Sequence, residues 1–512
     1  MGHQELVLNL PTDYSEELLR REIGQRLGIA ASEINYQIVK KSLDARKKSD
    51  IHWTVRAGVT SPGITDPPPE AVPDLVIPYQ KGRGTAVVVG SGPAGFFAAY
   101  ALQKAGHEVT VIERGSAVDA RSSRIDAFEQ TGVFDPLGNY AFGEGGAGTF
   151  SDGKLTSRTK NISREKAFII SSYIAAGAPE EIRYLAHPHL GSDNLKSVVK
   201  NLAEAFRELG GRILFETTLD DLAVRNGRIS EAITSRGTLP SDHVIVAPGH
   251  SAFDTYRMLI RRGVRFRTKS FAIGSRTEHP QELINQAQWG HASLSGVKAA
   301  EYRLASKGDG KSPAYTFCMC PGGTVVPAGA TPHVNIVNGM SLYARDGRYA
   351  NAGCVVGTSV EKLAGREVTP REALEWLATL EQSFFEYADG FRAPACGIRD
   401  FIETRAPQEL PTSSYPFGLM PAPLWELLPA QVSHSLREGL KDFSRKIRGF
   451  DTGVLMGLES KTSSPIQVLR ERNGRCEGFE NLSVIGEGAG YSGGIISSAV
   501  DGVRCAMSLV VL

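Results

Sequence analysis

The sequence predicts an α/β protein of 512 residues, and three observations lead to that prediction. The stretch TAVVVGSGPAG, from Thr85, has the continuous apolar run of a buried parallel strand that enters a glycine turn. A second strand, glycine loop and helix are indicated near the end, in NLSVIGEGAGYSGGIISSAVDG. Residues 266–448, between them, contain alternating stretches typical of a mixed sheet. A chain of this length is expected to form two or three domains.

The composition is that of an ordinary globular protein and excludes several classes of partner. Lys and Arg total 57 against 56 Asp and Glu, so no overall field favours nucleic acid or an anionic membrane. No apolar run reaches the ~18 residues of a membrane span, and the polar N-terminus lacks a signal-peptide core. Six scattered cysteines do not form a disulfide framework. We therefore expect a cytoplasmic protein with no membrane or nucleic-acid partner.

Residues 1–75 read as a small N-terminal α/β domain. The expected elements are three strands and one helix, at Glu5–Leu10, Ile34–Val39, Ile51–Val55 and Ser15–Leu27. A proline-rich linker follows and ends over residues 76–84. The basic cluster from Lys40 to Lys48 favours a solvated hairpin over a binding patch.

The first glycine loop has the G-x-G-x-x-G spacing of a dinucleotide site, in a strand–helix–strand context that the motif requires. Gly90 permits a tight turn, Gly92 lets the backbone approach a pyrophosphate, and Gly95 lets the helix pack against the strand. Glu113 ends the second strand, where a ribose hydroxyl can donate to it, and an acidic residue disfavours a 2′-phosphate. The predicted cofactor contacts here are Gly90, Ser91, Gly92, Pro93, Ala94, Gly95, Glu113, Arg114 and Arg121.

The C-terminal loop could be a second nucleotide site, but no parallel strand with an acidic end follows its helix. It resembles the closing segment of the glutathione-reductase-like flavoproteins. That resemblance places Glu487 near the ribityl–pyrophosphate region and the backbone amides near Gly494 against the flavin. The cofactor contacts that this resemblance implies are Gly486, Glu487, Gly493, Gly494 and Ile495.

A third segment, from HPHLGSDNL to DHVIVAPGHSA, agrees with that resemblance. Its helix is expected to start at an N-cap, Ser192, and to end at Gly210-Gly211. In the same flavoproteins a strand of this type ends in Ala-Thr-Gly beside the cofactor, and Pro248 departs from that pattern. The further cofactor contacts are Leu222, Ala247, Pro248 and Gly249.

Most of the chain resembles a family of large bacterial FAD-dependent dehydrogenases whose substrates are mostly unassigned. The motifs that carry the resemblance include FAIGSRTEHP, FCMCPGG, NGMS and GEGAGYSGGIISSAVDG. The resemblance implies a Rossmann-like FAD-binding domain over residues 85–265 and 449–512. A substrate domain is inserted at 266–448, and the FAD is held without a covalent bond.

The stretch GEGGAGTFSDGKL, residues 143–155, has three interpretations: a flavin loop, a plain turn or an ATP loop. The ATP loop is disfavoured because Leu155 stands where Ser or Thr must hold magnesium. The flavin interpretation has glycines admitting the ring and Lys154 favouring an anionic reduced flavin. The cofactor contacts predicted by the flavin interpretation are Gly145, Gly146, Ala147, Gly148, Thr149, Ser151, Asp152 and Lys154.

Catalytic residues are not identified by any motif, and four side chains are weak candidates. These are Lys154, His189, Cys318 and Cys320. The two cysteines could be a redox couple or half a metal site. Packing or pocket lining is favoured, because alternate strand residues form a strained disulfide and no further ligands lie near in sequence. No metal site is predicted.

The inserted domain is expected to carry a strand with Arg276 and Glu278 on one face and Thr277 and His279 on the other. Further strands are expected at Ala314–Met319, Gly323–Val326, His333–Val337 and Cys354–Thr358.

The expected function is an FAD-dependent oxidoreductase that transfers a hydride between flavin N5 and a small organic substrate. The middle of the chain has no second G-x-G-x-x-G unit and no C-x-x-x-x-C pair, which disfavours a disulfide reductase. NAD(P)H could still serve as a transient reductant. A monooxygenase, a tRNA-modifying flavoprotein that uses the Lys40–Lys48 cluster, and a non-enzymatic flavin-dependent module stay open.

Overall fold

A computed structural model describes residues 2–67, 70, 73–407 and 409–510. Pro68 and Pro69 of the expected linker, and the chain end at Leu512, lie outside the described residues. Within the described part, no helix has the length and apolarity that crossing a bilayer needs.

The helices and strands follow one another along the chain in three groups. The first comprises β1 (Gly2–Leu10), α1 (Glu16–Leu27), β2 (Asn35–Asp44) and β3 (His52–Ser61). The second comprises β4 (Thr85–Val89), α2 (Pro93–Ala105), β5 (Glu108–Ile112), α3 (Val118–Thr131), α4 (Ser163–Ala175), α5 (Gly191–Glu208), β6 (Arg212–Leu214), β7 (Leu219–Arg225), β8 (Arg228–Thr234), β9 (Gly237–Pro240), β10 (His243–Val246) and α6 (Phe253–Arg261).

The third group runs from the inserted region to the end of the described chain. It comprises β11 (Phe266–Thr268), β12 (Phe271–Pro280), α7 (Gln281–Trp289), β13 (Ala305–Ser306), β14 (Ala314–Pro327), β15 (Val337–Ser341), β16 (Tyr349–Thr358), α8 (Val360–Ala364), α9 (Pro370–Ala388), β17 (Ala393–Gly397), α10 (Ile398–Glu403), β18 (Leu419–Pro421), α11 (Leu424–Leu427), α12 (Ala430–Lys446), β19 (Val454–Glu459), β20 (Ile466–Val468), β21 (Leu482–Val484) and α13 (Ile495–Val510).

The central sheet is parallel, in the order β21-β10-β4-β5-β6. Strands β4, β5, β10 and β21 are short and mostly buried on both faces, as the apolar run from Thr85 predicted, whereas the edge strand β6 is partly exposed. The last strand and helix of the chain return to this sheet, with β21 at its edge and α13 against α2. The mixed α/β class with a Rossmann-like unit is therefore confirmed.

A larger sheet carries the inserted region, in the order β13-β14-β16-β12-β19-β17-β18, with β15 paired to β14. The N-terminal unit is a separate three-stranded antiparallel sheet, β1-β3-β2, with α1 on it. Ser15 accepts a hydrogen bond from the Leu18 amide and so caps α1.

Three local predictions differ from the structure. Helix α5 begins at Gly191 after Leu190, so Ser192 lies inside the helix and is not its N-cap. The strand expected at His333–Val337 starts only at Val337, because His333 has φ of 64°, outside the extended region. The two strands expected at Ala314–Met319 and Gly323–Val326 are one strand, β14, whose pairing with β16 shifts register between Phe317 and Gly323.

Candidate FAD and substrate site

A cavity of about 290 Å³ lies between the glycine loops and strands β14 and β15. The cavity volume is close to the lower end of the range for small-molecule pockets. The predicted cofactor residues that line it are Gly90, Gly92, Pro93, Ala94, Glu113, Arg114, Gly146, Ala147, Gly148, Ser151, Asp152, Lys154, Ala247, Pro248, Gly249, Gly486, Glu487, Gly494 and Ile495. Folding thus brings five separate stretches of sequence to one cavity.

The three glycines of the first loop have different physical roles. A Cβ at Gly90 would stand 2.3 Å from the Ala247 carbonyl oxygen, and one at Gly95 would stand 1.9 Å from the Gly90 carbonyl oxygen. These two glycines therefore allow close backbone packing. Gly92 is the N-cap of α2 and has no side-chain cap, so the first amides of the helix are free for a ligand in the cavity.

Glu113 holds the loops that surround the cavity. One carboxylate oxygen accepts from the Ser91 amide at 2.9 Å and the Ser91 hydroxyl at 2.8 Å. The other accepts from the Gly115 amide at 3.0 Å and the Gly143 amide at 3.1 Å. Four protein donors already occupy this carboxylate, so a ribose hydroxyl would have to share or displace one of them.

Several predicted contacts lie away from the cavity wall. Arg121 is fully buried and donates to the carbonyls of Asn139, Tyr140, Glu144 and Gly146, which shapes the loop from behind. The other residues outside the wall are Ser91, Gly95, Gly145, Thr149, Leu222 and Gly493.

Each of these placements has a structural reason. Ser91, Gly145 and Thr149 line a separate hollow of about 30 Å³ behind the loop. Leu222 is fully buried in the core, and the cavity wall takes Thr217 and Leu219 instead. Leu219 and Leu222 pair with Thr234 and Ala232, which are two residues apart on β8, so they share one face of β7, and Leu219 at the start of the strand is the one that reaches the cavity.

The loop at residues 143–155 needs its glycines for packing against other parts of the protein. Gly146 has φ of 68°, and its Cβ would stand 2.9 Å from the Cα of Gly92. A Cβ at Gly145 would meet Thr149 Oγ1 at 2.2 Å, and one at Gly148 would meet Ile495 Cγ1 at 3.3 Å. Protein atoms thus limit the space beside each of these glycines.

Lys154 and Arg345 share the carboxylate of Asp152. Lys154 Nζ lies 2.5 Å from Asp152 Oδ2 and also donates to the Met319 carbonyl oxygen. Arg345 Nε and Nη2 lie 3.0 and 2.5 Å from the two Asp152 oxygens. Burial alone would raise the pKa of Asp152, but the two cations hold that pKa well below its usual value. The lysine is therefore a fixed cation in the cavity wall.

The four candidate catalytic residues separate into two groups. Lys154, Cys318 and Cys320 line the cavity, whereas His189 lies outside its wall. The ring of His189 contacts the Tyr343 carbonyl oxygen at 3.1 Å, and burial first, then Arg345, lowers its pKa to about 4. His189 thus fits a structural role beside the loop.

Cys318 has a backbone conformation that is rare for a residue with a side chain, φ of 40°. The irregular part of β14 produces it, and residue Cys318 is exposed while Cys320 is buried. Cys320 Sγ lies 3.3 Å from the Cys318 carbonyl oxygen. Both cysteines are free thiols, and no cluster of metal-ligand type occurs among the described residues.

The C-terminal loop brings Gly486, Glu487 and Gly494 to the cavity. A Cβ at Gly494, which has φ of 99°, would meet nothing within 4 Å, so the backbone ahead of α13 is open to a ligand. Burial raises the pKa of the Glu487 carboxyl to about 7, and Lys269 opposes that shift.

The polar residues of the wall that were not predicted from the sequence include His250, Asn338 and Lys461. His250 directly follows Ala247-Pro248-Gly249, and Asn338 begins the NGMS motif, so both lay in stretches already singled out. Neither imidazole nitrogen of His250 has a hydrogen-bond partner in the described structure. Burial, and then the charges of Lys461 and Lys269, keep the pKa of His250 well below its usual value.

Comparison with known proteins gives matches to family models and to a relative of similar length. Residues 270–462 match a family model described as FAD-dependent protein, C-terminal domain-like. Residues 88–144 match an NAD(P)-binding Rossmann-like domain, and residues 2–60 match a domain of unknown function. An uncharacterised protein of Clostridium beijerinckii is 36% identical, with the match covering 98% of this chain and 97% of that protein. The chain belongs to a family of FAD-dependent proteins.

Solved structures are similar to this FAD-dependent protein only at a low level. One is CtdE in complex with FAD and substrate 4, at 12% identity, covering 84% of this chain and 81% of CtdE, with a TM-score of 0.38. Another is glycine oxidase from Bacillus cereus, at 12% identity, covering 83% and 94% of the two chains, with a TM-score of 0.32. None of these values assigns a reaction or a substrate to this family member.

The cavity of the FAD-dependent protein fits its cofactor. The starts of α2 and α13 both reach the cavity, and helix N-termini favour anionic and electron-rich groups. Added Cβ atoms at Gly249 and Gly494 would meet no protein atom within 4 Å, so space is open beside both loops. The protein is a flavoprotein that binds FAD.

Proposed function

We propose that this flavoprotein is an oxidoreductase that transfers a hydride between flavin N5 and a small organic substrate. The observation that carries the proposal is the two-sided composition of the cavity. Glycine loops and two helix N-termini form one side, and residues of β14 and β15, including Phe317, Cys318 and Asn338, form the other. The glycine-loop side suits a dinucleotide cofactor, and the opposite side suits a second ligand.

When bound, FAD supplies a carrier of two electrons. The amides at the start of α2, after Gly92, would hold the pyrophosphate, and those at Gly494 would meet the electron-rich edge of the ring. Lys154 would stabilise negative charge that develops on reduction, because Asp152 and Met319 hold its ammonium group in the wall. Aromatic side chains of Tyr140 and Phe150 limit the access of water.

The source of electrons in this proposal is either the organic substrate itself or a nicotinamide that binds transiently. The sequence offers a single strand–helix–strand unit with a G-x-G-x-x-G loop, and FAD would occupy it. A resident NAD(P)H would need a further site of that kind. The proposed division is an FAD-binding domain, an inserted substrate domain and a small N-terminal domain with the boundaries given above.

A small molecule is the proposed partner, and the basic cluster supports this over nucleic acid. Lys41 Nζ lies over the rings of Tyr14 and Trp53, at 4.8 and 4.5 Å from their centroids. Arg46 is paired with Asp44. Two of the cluster's cations are therefore engaged within the N-terminal unit and are less available to phosphates.

Anaerobic reduction of the holoprotein tests the proposal. Metabolites and NAD(P)H are added singly in the absence of oxygen, and the flavin absorbance is followed. We expect at least one organic donor or nicotinamide to bleach the flavin and a substrate to reoxidise it. Substrate-dependent oxygen incorporation would instead identify a monooxygenase. Salt-sensitive tRNA binding that is lost without residues 1–80 would identify a tRNA-modifying enzyme. Absence of turnover with every donor would favour a binding module.

A further inference from the structure

The cavity wall opposite the glycine loops contains one amide whose orientation is decided by a buried arginine. Asn338 Oδ1 accepts from Arg276 Nη2 at 2.9 Å and from the Gly339 amide at 2.8 Å. Both donors lie on the oxygen side, so the amide cannot be reversed without placing its NH₂ group against a cation. Its Nδ2 therefore remains as the donor available to the cavity that Asn338 lines.

Arg276 is held too firmly to change that orientation. The residue is fully buried, and Nε and Nη2 contact Glu459 Oε2 at 2.8 and 2.7 Å. Nη1 donates to Asn351 Oδ1 at 2.7 Å and to the Cys318 carbonyl oxygen at 3.3 Å. With the bond to Asn338, the guanidinium donates four hydrogen bonds, and Nη2 is also in ion-pair contact with Glu459.

Gly339 is part of the same arrangement. A Cβ at this position would stand 2.5 Å from Arg276 Nη1 and 2.1 Å from Asn351 Oδ1. Only glycine lets the guanidinium and the Asn351 amide approach the strand here. The wall is therefore shaped around a fixed amide donor.

Positive charge lies at the same end of the cavity. Lys154 donates to the carbonyl of Met319, and Arg276 donates to the carbonyl of Cys318, so both side chains are attached to adjacent peptides of β14. Lys154 and Arg345 share one buried carboxylate, Asp152, which leaves one positive charge in that group of three. Glu301 lies 3.8 Å from Arg345, but it is 36% exposed and thus more screened by water.

The rest of this wall is apolar. Phe317, Val326 and Ala328 line the cavity beside Asn338. An apolar wall with one amide donor and one nearby cation suits a ligand that has an apolar body and an anionic oxygen group.

We propose that this end of the cavity binds a carboxylate of the substrate, with Asn338 Nδ2 donating to a carboxylate oxygen and Lys154 supplying the compensating charge. The inference rests on the proposed oxidoreductase function and specifies the class of its substrate as an organic acid with an apolar body. Arg276 acts as a positioning residue, because it reaches the substrate only through the Asn338 amide.

Binding of benzoate and benzamide to the FAD-loaded protein tests the proposal. The two probes have nearly the same shape, but only benzoate carries a negative charge, and binding is followed by the change in flavin absorbance. We expect benzoate to bind at least tenfold more tightly than benzamide. Equal affinity for the two probes, or no binding of benzoate up to tens of millimolar, overturns the proposal.

Variants at Asn338 make the test specific to the amide. N338D keeps an acceptor for Arg276 but places negative charge at the carboxylate, so benzoate affinity should fall about thirtyfold or more while benzamide affinity changes less than threefold. N338L removes the donor and should weaken benzoate by roughly tenfold or more, as for a lost hydrogen bond to a charged group. N226D adds the same charge on the exposed turn between β7 and β8 and should change neither affinity.

FAD content and thermal unfolding are measured for each variant, so that loss of the fold is recognised. An N338D protein that retains FAD and binds benzoate normally overturns the inference. Anaerobic reduction is scored separately: probe binding that follows Asn338 while no donor reduces the flavin supports the inference and contradicts hydride transfer. If a donor reduces the flavin but substitution of Asn338 leaves the benzoate affinity unchanged, the result supports hydride transfer and contradicts the inference.

Discussion

Gly146 and Gly92 belong to two separate glycine loops and pack backbone against backbone. A Cβ added at Gly146 would stand 2.9 Å from the Gly92 Cα, and Gly92 itself starts the helix that faces the cavity. The second loop therefore supports the first from the side. Because of this contact, a change in one loop is transmitted directly to the part of the other that meets the pyrophosphate.

Replacement of Gly146 by valine should abolish FAD binding. A non-glycine residue at φ of 68° is strained by about 1–2 kcal/mol, and the branched side chain would also press on Gly92. The absorbance of bound flavin measures the loss, and thermal unfolding of the apoprotein should show a lower Tm. Gly263→Ala is the matched control, since Gly263 has φ of 89° but no atom within 4 Å of its Cβ. Normal FAD content in Gly146→Val would contradict the coupling of the two loops.

Replacement of Lys154 by alanine should lower the reduction potential of the bound flavin by some tens of millivolts. A cation stabilises the reduced anionic form, and loss of about 1–2 kcal/mol corresponds to that shift when about 30 mV equals 1.4 kcal/mol. Asp152→Asn should raise the potential, because it removes the carboxylate that offsets Lys154. Potentiometric titration with a reference dye measures both changes. Lys160→Ala, a change at an exposed position, is the control. If the reduction potential shifts in Lys160→Ala and not in Lys154→Ala, the placement of the loop at residues 143–155 beside the flavin is refuted.

Cys318 should be the cysteine that reacts first with a maleimide in the native apoprotein. Cys318 is exposed and the other five cysteines are buried, although desolvation raises the pKa of the Cys318 thiol to about 12 and so slows its reaction in absolute terms. Bound FAD should slow the reaction, since Cys318 lines the same cavity. Mass spectrometry of the labelled protein locates the modified residue. Cys318→Ser should remove the rapid phase and Cys320→Ser should keep it; rapid labelling of Cys320 would show that the bulge in β14 is arranged differently.

Glu487 should make the apoprotein less stable as the pH rises from about 4.5 to about 7. Its folded-state pKa is raised to about 7 from 4.5, so the folded protein binds a proton that the unfolded chain has already released. Stability is then lost as the pH rises through this window, by up to about 3 kcal/mol. Denaturant unfolding of Glu487→Gln should show higher stability than wild type at pH 8 and no difference near pH 4.5. Glu480→Gln, a change at the surface, is the control. If Glu487→Gln has the same stability as wild type at pH 8, the raised folded-state pKa of the Glu487 carboxyl is contradicted.

Much of the FAD side of the cavity could be predicted from sequence because its signals are local. Gly90, Gly92 and Gly95 are spaced by the geometry of a single turn, and the apolar run before them has the pattern of a buried strand. Leu222 lies outside the cavity wall because the cavity is reached at the start of β7, by Leu219, and that position depends on tertiary packing. His250 and Asn338 were missed because a single polar residue, whether in a loop or in a strand such as β15, has no periodic pattern that marks it as a cavity residue.

The sequence by itself determined the α/β class and the dinucleotide loop, because strand and helix periodicity and glycine turns are short-range properties. The return of the last strand and helix to the central sheet was implied only by the family resemblance, since it is a long-range pairing. Only the tertiary structure decided which residues form the opposite wall. Arg276, Asn338 and Glu459 are distant in sequence and meet because β12, β14, β15 and β19 pair in one sheet. The direction in which the Asn338 amide faces is thus set by a buried ion pair, a long-range contact that no local pattern encodes.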